Sequence, residues 1–408
     1  MSESLRPQET KQIEEAVCWA LAQGKTLEIV GRGTKRAIGR AAQWNATLDM
    51  SGFSGITLYE PEELVLSAKA GTPLAEIEAL ATASRQELAF EPMDYGPLLG
   101  GASGTGTIGG AIAANLSGPR RIKAGAARDH FLGFTAVSGR GETFKSGGRV
   151  VKNVTGYDLC KLMAGSWGTL AAMTDVTVKT LPKAETERSI LVLDLNDVTA
   201  RKVMTTTMGS FAEVSAAAHL PAPLAARVPE TATLQAAVTA FRLEGVAPSV
   251  AQRESVLEKL LGPFGALCTL EEAPSRAMWR AIRDVTPFAA IGPSGGYDVW
   301  RISTAPTRGI EIGRALADGA GAEVLYDWAG GLIWAALPRS DDANAPLVHS
   351  TVAAAGGHAT LIRAPAAVRA KADVFMPEPA PLAALTQRIR KGFDPQGVLN
   401  AGRMWAGV

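Results

Sequence analysis

The chain has 408 residues, 47% of them apolar and 20% charged, a globular composition too long for one ordinary core, so two domains are expected. A net charge of +1, with no basic tail and no low-complexity tract, gives no field able to gather nucleic acid or an anionic membrane. Three scattered cysteines (Cys18, Cys160 and Cys268) contain no CxxC pair, which argues against an iron–sulfur cluster, a structural zinc or a disulfide framework.

Met1 to Gln12 is polar and charged, unlike a secretory signal, and no apolar run approaches the ~20 residues that cross a bilayer. The expected location is cytoplasmic. Ile13, Val17, Ala20 and Leu21 recur at helical spacing, with Gly24 as a C-terminal stop. Thr26 to Val30 reads as a strand that ends in the loop Gly31-Arg32-Gly33-Thr34-Lys35-Arg36. A second strand, Leu64 to Lys69, leads to Thr72-Pro73, which predicts a helix capped by Thr72 and running to about Arg85. Phe90 to Pro97 is irregular. Glycines then run from Gly100 into the small apolar residues of Thr107 to Asn115. Phe131 to Ser138 reads as a strand, Gly139 to Glu142 as a hairpin turn, and Thr169 to Leu181 as a further strand. Pro182 to Arg188 is a charged break, taken as a domain boundary. Beyond it, apolar runs such as Ile190 to Leu195 and Gly331 to Leu337 alternate with helical stretches such as Arg253 to Leu261. A last helix, Leu382 to Lys391, precedes Phe393-Asp394-Pro395-Gln396-Gly397-Val398-Leu399-Asn400.

Seventeen of the 43 glycines lie between Gly96 and Gly168, so backbone there takes unusual conformations or approaches a ligand. The diphosphate of a dinucleotide is usually met by backbone N–H groups that side chains would obstruct. Two loops could meet a diphosphate in this way, Gly31 to Lys35 after a strand and Thr107 to Gly110 before a helix. Each alone also reads as an ordinary turn. Gly104 to Gly109 matches GxGxxG, but residues 91–103 are loop-like and Asp129 precedes its strand, which excludes a Rossmann nicotinamide site. The basic group Arg120, Arg121, Lys123 and Arg128 reads either as solvated surface or as phosphate and subunit contacts. Lys152 to Asp158 is polar and distinctive, without chemistry that spacing alone assigns.

Taken together, Val30 to Arg36, Gly106-Thr107-Ile108-Gly109-Gly110, Gly165-Ser166-Trp167-Gly168-Thr169-Leu170 and the C-terminal FDPQGVLN segment resemble the FAD-binding domain of the vanillyl-alcohol oxidase and p-cresol methylhydroxylase family. The last segment is similar to the FDPxGxLNPGR ending of flavin-dependent glycolate and D-lactate dehydrogenases. Leu58 to Leu64, Phe90 to Asp94, Ser117 to Arg121 and Lys152 to Asp158 further resemble the FAD-binding E-subunit family of bacterial glycolate oxidases. The likeness covers most of residues 10–182 and the last twenty, and is weak between, apart from Gly356 to Leu361.

The resemblance implies an α+β fold: two α/β FAD-binding subdomains of the p-cresol methylhydroxylase type, split near 57 within residues 1–184. An α+β cap follows over 185–370, and residues 371–408 return to the FAD domain. It implies non-covalent FAD, because the first loop lacks the histidine that covalent relatives carry there. Gly31, Arg32, Gly33, Thr34 and Lys35 would form one diphosphate loop. Thr107, Gly109, Gly110, Ala113 and Asn115 would form the other, with Pro92 alongside and Ser117 and Gly118 following. Thr169, Thr174 and Val176 would approach the adenine or ribose, and Asn400 the flavin. Relatives that oxidise 2-hydroxy acids commonly carry a motif resembling HxGDGNxH that binds a metal and acts as base. Here His130, His219, His349 and His358 are not so spaced, no metal is expected, and no catalytic residue is assigned; His358 reads as structural or as a base. The implied role is a subunit of a complex acting on a small 2-hydroxy acid, partnered by a larger catalytic FAD subunit and an iron–sulfur subunit. Contact with the inner membrane would come only through those partners. A self-sufficient FAD-dependent 2-hydroxy-acid dehydrogenase, a flavin-less assembly scaffold and a relative of the cell-wall precursor reductase are the alternatives; the FDPQGVLN ending disfavours the last.

Overall fold

A computed structural model describes residues 3–148 and 156–406. Most of Lys152 to Asp158 therefore lies outside the described residues. After the short strand Glu3–Leu5 comes the helix Thr10–Ala22, whose Glu9 and Gln12 close a capping box and whose Ile13, Ala16, Val17 and Ala20 form its buried stripe. That stripe covers a parallel three-stranded sheet, ordered Glu3–Leu5, Ala46–Asp49, Leu27–Val30. A second sheet of five antiparallel strands follows, with Ile56–Glu60, Val65–Lys69, Ala171–Lys179, Phe131–Ser138 and Thr143–Gly147 side by side. The central strand Ala171–Lys179 is buried along its first half and alternates along its second, as a strand flanked on both edges does. No strand leads directly into Gly104; residues 91–103 contain only the short turn of helix Pro97–Leu99.

The third layer is a sheet of eight antiparallel strands that begins its run at Thr186–Leu193 and ends it at Gly357–Arg363. Its two faces differ. Trp300, Ile302, Ile333, Ala335 and Leu361 look outward into a core closed by the helices Gly309–Ala320 and Ala345–Ala355. Val299, Trp334 and Ile362 look inward and join Met93, Tyr95, Leu98, Ala111 and Leu116 of the glycine-rich half in one apolar cluster. The large sheet thus roofs the region where the glycines concentrate.

The chain then returns to its start. Leu27 donates to the Val398 carbonyl at 2.8 Å and Asn400 donates to the Leu27 carbonyl at 2.9 Å. Asp394 holds the turn by accepting from the Val398 and Leu399 N–H groups at 2.9 and 2.8 Å.

Three local readings change. Thr72 does not cap the helix Leu74–Ala83, because its hydroxyl donates to the Lys69 carbonyl at 2.7 Å and accepts from Gly55 N–H at 2.9 Å. The charged break after Pro182 is shorter than its composition implies, since Thr186 already pairs with Gly245 and Pro182 with Gln86. Arg120 is neither solvated surface nor a phosphate contact. It is buried in an ion network across the seam with the roof, pairing with Glu87 and with Glu244 at 2.8 Å.

Beside it, Arg242, 3% exposed, makes two bonds to Glu91 at 2.8 and 3.1 Å. Glu91 also accepts from the Arg120 N–H at 2.8 Å. Removing the Glu91 charge takes two charge-assisted bonds from Arg242 and leaves it Glu244 at 3.5 Å, so Glu91→Gln is expected to lower unfolding stability by about 2 kcal/mol. A urea midpoint equal to that of the parent chain would contradict the seam's role.

Candidate functional site

The strand Leu27–Val30 ends in a loop whose amides have nothing in the protein to bond. Among the described residues, the N–H groups of Gly31, Arg32, Gly33, Thr34 and Lys35 donate to no protein acceptor, whereas Arg36 and Ile38 bond back to Gly33 and Lys35. Gly33 supplies the turn with φ of +74°, a value an L side chain adopts only with strain. Five uncommitted donors in succession make an anion-binding concavity.

Opposite stands the second glycine segment, and it works differently. Ile108 and Gly109 donate to the Thr72 and Ala70 carbonyls at 3.0 and 2.8 Å, and Gly110 bonds the Thr107 hydroxyl at 3.3 Å. Its amides are largely committed, so it offers space rather than donors. A Cβ on Gly110 would lie 3.1 Å from the Thr107 hydroxyl and 3.3 Å from Lys35 Nζ, and one on Gly31 would lie 2.6 Å from the same hydroxyl. The absent side chains keep the gap between the loops open.

The two segments, the C-terminal return and the turn at Trp167–Gly168 line one half-open cleft. Of the residues expected from sequence, Gly31, Arg32, Gly33, Thr34, Lys35, Thr107, Gly109, Gly110, Ala113 and Asn400 meet there. The others do not. Pro92 is buried in the irregular segment, Asn115 accepts from Arg128 N–H, and Ser117 caps the turn at Ala127 at 2.9 Å. Gly118 sits on the seam, its carbonyl accepting from the Trp328 indole at 2.9 Å. The Thr169 and Thr174 hydroxyls bond the Ser166 and Thr135 carbonyls, and Val176 is wholly buried in the five-stranded sheet's core. Asn400 lines the cleft, yet its side chain is fully engaged: Oδ1 accepts from Ile29 N–H at 2.8 Å and Nδ2 donates to the Trp167 carbonyl at 2.7 Å. It clamps three walls together.

Sequence reasoning missed Arg403. Only 6% exposed, it donates to the Lys35 carbonyl at 2.7 Å, leaves Nε without a partner and lies 5.6 Å over the Trp167 ring. The signal was available, since Arg403 fills the arginine position that ends the FDPxGxLNPGR pattern. Burial lowers its guanidinium to about 10. Burial, and Arg403 beside it, lower the Lys35 ammonium to about 8, against the pull of Asp94. Two cations that face a cleft without a paired carboxylate, beside five free amides, fit a diphosphate. The cleft lining contains no histidine, cysteine or tyrosine.

A cleft of free amides and cations under an antiparallel roof is that of a protein that binds a dinucleotide by its diphosphate. The FAD binding domain family matches residues 4–147. Glycolate oxidase subunit GlcE of Escherichia coli (strain K12) is 32% identical over 395 residues, covering 96% of each chain. Glycolate oxidase subunit GlcD of Bacillus subtilis (strain 168) is 40% identical over 111 residues, covering 25% of this chain and 24% of that one. The solved p-cresol methylhydroxylase superposes with a TM-score of 0.71 at 12% identity, over 98% of this chain and 88% of the other, a likeness of fold. The chain belongs to the family of FAD-binding oxidoreductases that contains glycolate oxidase subunit GlcE. FAD is its cofactor.

Two outcomes are expected. Gly110→Val fills the gap between the loops, so the purified variant should keep its circular dichroism spectrum and lose the flavin absorbance; full flavin content would refute the gap's function. Lys35 in the free protein deprotonates near 8, so above that pH a proton must be taken up along with the diphosphate. FAD affinity should be flat below about pH 8 and fall by up to about tenfold per unit above it. Lys35→Met should flatten that profile, as read by quenching of flavin fluorescence.

Proposed function

We propose that this chain is the FAD-holding subunit of a complex that oxidises glycolate, or a closely similar small 2-hydroxy acid, to the 2-oxo acid. In this reading residues 1–184 hold the cofactor, 185–370 roof it and 371–408 close the cleft from behind. A larger catalytic FAD subunit and an iron–sulfur subunit receive or supply the electrons. The location is cytoplasmic, with the inner membrane reached only through partners; no helix of the described residues is long and apolar enough to cross a membrane.

The observation that carries the subunit reading is the cleft's lack of a proton acceptor. Oxidation of a hydroxy acid removes a hydride from carbon and a proton from the hydroxyl. Bound FAD supplies the two-electron acceptor. The proton needs a base, and the cleft's titratable lining consists of Arg32, Lys35, Arg36 and Arg403. Lys35 comes nearest by its lowered value, but a diphosphate against its ammonium favours the charged form.

The histidines stand elsewhere. His130 bonds the Ala124 carbonyl, His219 bonds Thr239, His349 packs edge-on against Trp300, and His358 lies on the strand Gly357–Arg363. Among the described residues no group of three metal-ligating side chains converges. The residues here hold and orient, through the amides 31–35, the two cations and the Asn400 clamp. This reading keeps the attachment non-covalent, which a cleft lining without histidine, cysteine or tyrosine supports.

The isolated chain is expected to purify with FAD that acid precipitation releases. It should turn over glycolate with a dye acceptor at least about a hundredfold more slowly than the assembled complex, the usual weight of a missing general base. Equal rates would replace this reading by that of a self-sufficient dehydrogenase, and a protein that stays colourless with added FAD would leave a scaffold.

A further inference from the structure

The inward face of the roof carries a polar group that the cleft does not account for. Arg301 on the strand Tyr297–Thr304 pairs in register with Thr360 on one side and Trp334 on the other, and Ser303 pairs with His358. Directly paired residues of antiparallel strands share a face. Arg301, Ser303, Thr360 and His358 therefore lie with Trp334 on the side turned toward the glycine-rich half.

From that half comes Arg121, on the short helix Arg121–Ala124. Both guanidinium groups stack on one indole: Arg121 Cζ lies 4.3 Å and Arg301 Cζ 5.1 Å from the ring centre of Trp328. The indole is fixed by its bond to the Gly118 carbonyl. Among the described residues neither arginine makes a side-chain hydrogen bond or a salt bridge, in contrast to Arg120 and Arg242 close by. Asp327, the carboxylate whose field reaches Arg301, is buried and taken up by the Trp328 N–H at 2.7 Å. Burial pushes its carboxyl up to about 7, so it only partly offsets the two cations. Partial enclosure, and then the two arginines, hold the His358 imidazole below the ordinary range. Asp129 acts on Arg121 as Asp327 does on Arg301, so the positive charge of this recess is offset only in part and by no carboxylate at salt-bridge distance among the described residues.

The recess also adjoins the cofactor cleft. Trp167 lines the cleft and meets the Phe375 ring at 5.7 Å, and Phe375 bridges Thr360, the register partner of Arg301. Two strand spacings, roughly 10 Å, separate Phe375 from Arg301.

We infer that Arg121 and Arg301, stacked on Trp328 across the seam, form a binding site for a small carboxylate, the acid group of the hydroxy acid or its oxo product. The inference rests on the glycolate reading for the ligand's identity, whereas the site itself rests on geometry. Guanidinium forks pair with carboxylates bidentately, and an aromatic face keeps them from collapsing onto other acceptors. One arginine from each half means that the ligand is gripped only when the roof is in place. His358 shares this face, and the role assigned to the two arginines is to bind and orient the acid group.

The test is isothermal titration of the FAD-loaded chain with oxalate, a carboxylate that carries no hydroxyl to oxidise, and with inorganic sulfate. Saturable oxalate binding is expected, weakened by roughly tenfold or more in Arg301→Gln and again in Arg121→Gln, and unchanged in Lys123→Gln. Flavin content and circular dichroism should match the parent in each variant. Should Arg301→Gln fail to fold, Arg121→Gln and Arg301→Lys carry the comparison. Absence of saturable binding, equal affinity for sulfate, or parent-like affinity in both glutamine variants would overturn the site. Since no turnover is measured, the site can fail while the glycolate reading stands. Conversely, oxalate binding by a chain whose complex ignores glycolate would discard only the substrate.

Discussion

A diphosphate leaving water must find donors that no other group is using. The whole arrangement turns on how the loop Gly31 to Lys35 keeps five amides uncommitted while its flanks are tied down on every side. The strand before it is paired with Ala46–Asp49, Ile29 is held by Asn400, and the Lys35 carbonyl is held by Arg403. A loop with free donors would otherwise fold onto its own carbonyls. Here the restraint comes from residues about 370 positions later in the chain, so the binding loop and the C-terminal return form one structural unit.

The facing glycine segment shows why two glycine-rich stretches need not do the same work. Its amides are joined to the end of the strand Val65–Lys69 through Ala70 and Thr72, which places Thr107 and Gly110 at a fixed distance from the first loop. One loop donates and the other defines the gap. The roof is fastened independently, by the Glu91, Arg120, Arg242 and Glu244 network and by the Trp328 bond to Gly118, and this fastening sets the height of the chamber above the cleft.

Much of this was legible before the structure. The first loop, its strand and the hairpin Phe131–Ser138 to Thr143–Gly147 are encoded in short stretches whose periodicity and turn residues suffice, whereas the return of the FDPQGVLN segment came from the family resemblance. What sequence left hidden is long-range pairing. Arg120 and Arg121 are adjacent and chemically alike, yet one is neutralised by Glu87 and Glu244 while the other stacks unpaired on Trp328. Ser117, Thr169 and Thr174 were implied by the resemblance alone, and the hydroxyl of each is bonded to a nearby backbone group. Arg403 escaped because a lone arginine after a recognised motif carries no periodicity of its own.

The charge pattern joins these points. Lys35 and Arg403 lie against the cleft, Arg121 and Arg301 against the recess, and all four lack a carboxylate at salt-bridge distance among the described residues. In a chain of net charge +1 this is local concentration, not surplus. Arg403 is buried and the other three are half-buried, and cations held partly out of water without partners destabilise the empty protein and are relieved by an anion. A dinucleotide below and a small acid above would each remove part of that strain. The Trp167, Phe375 and Thr360 contacts lie between the two places. The empty fold is therefore charged in advance for two anions of different size.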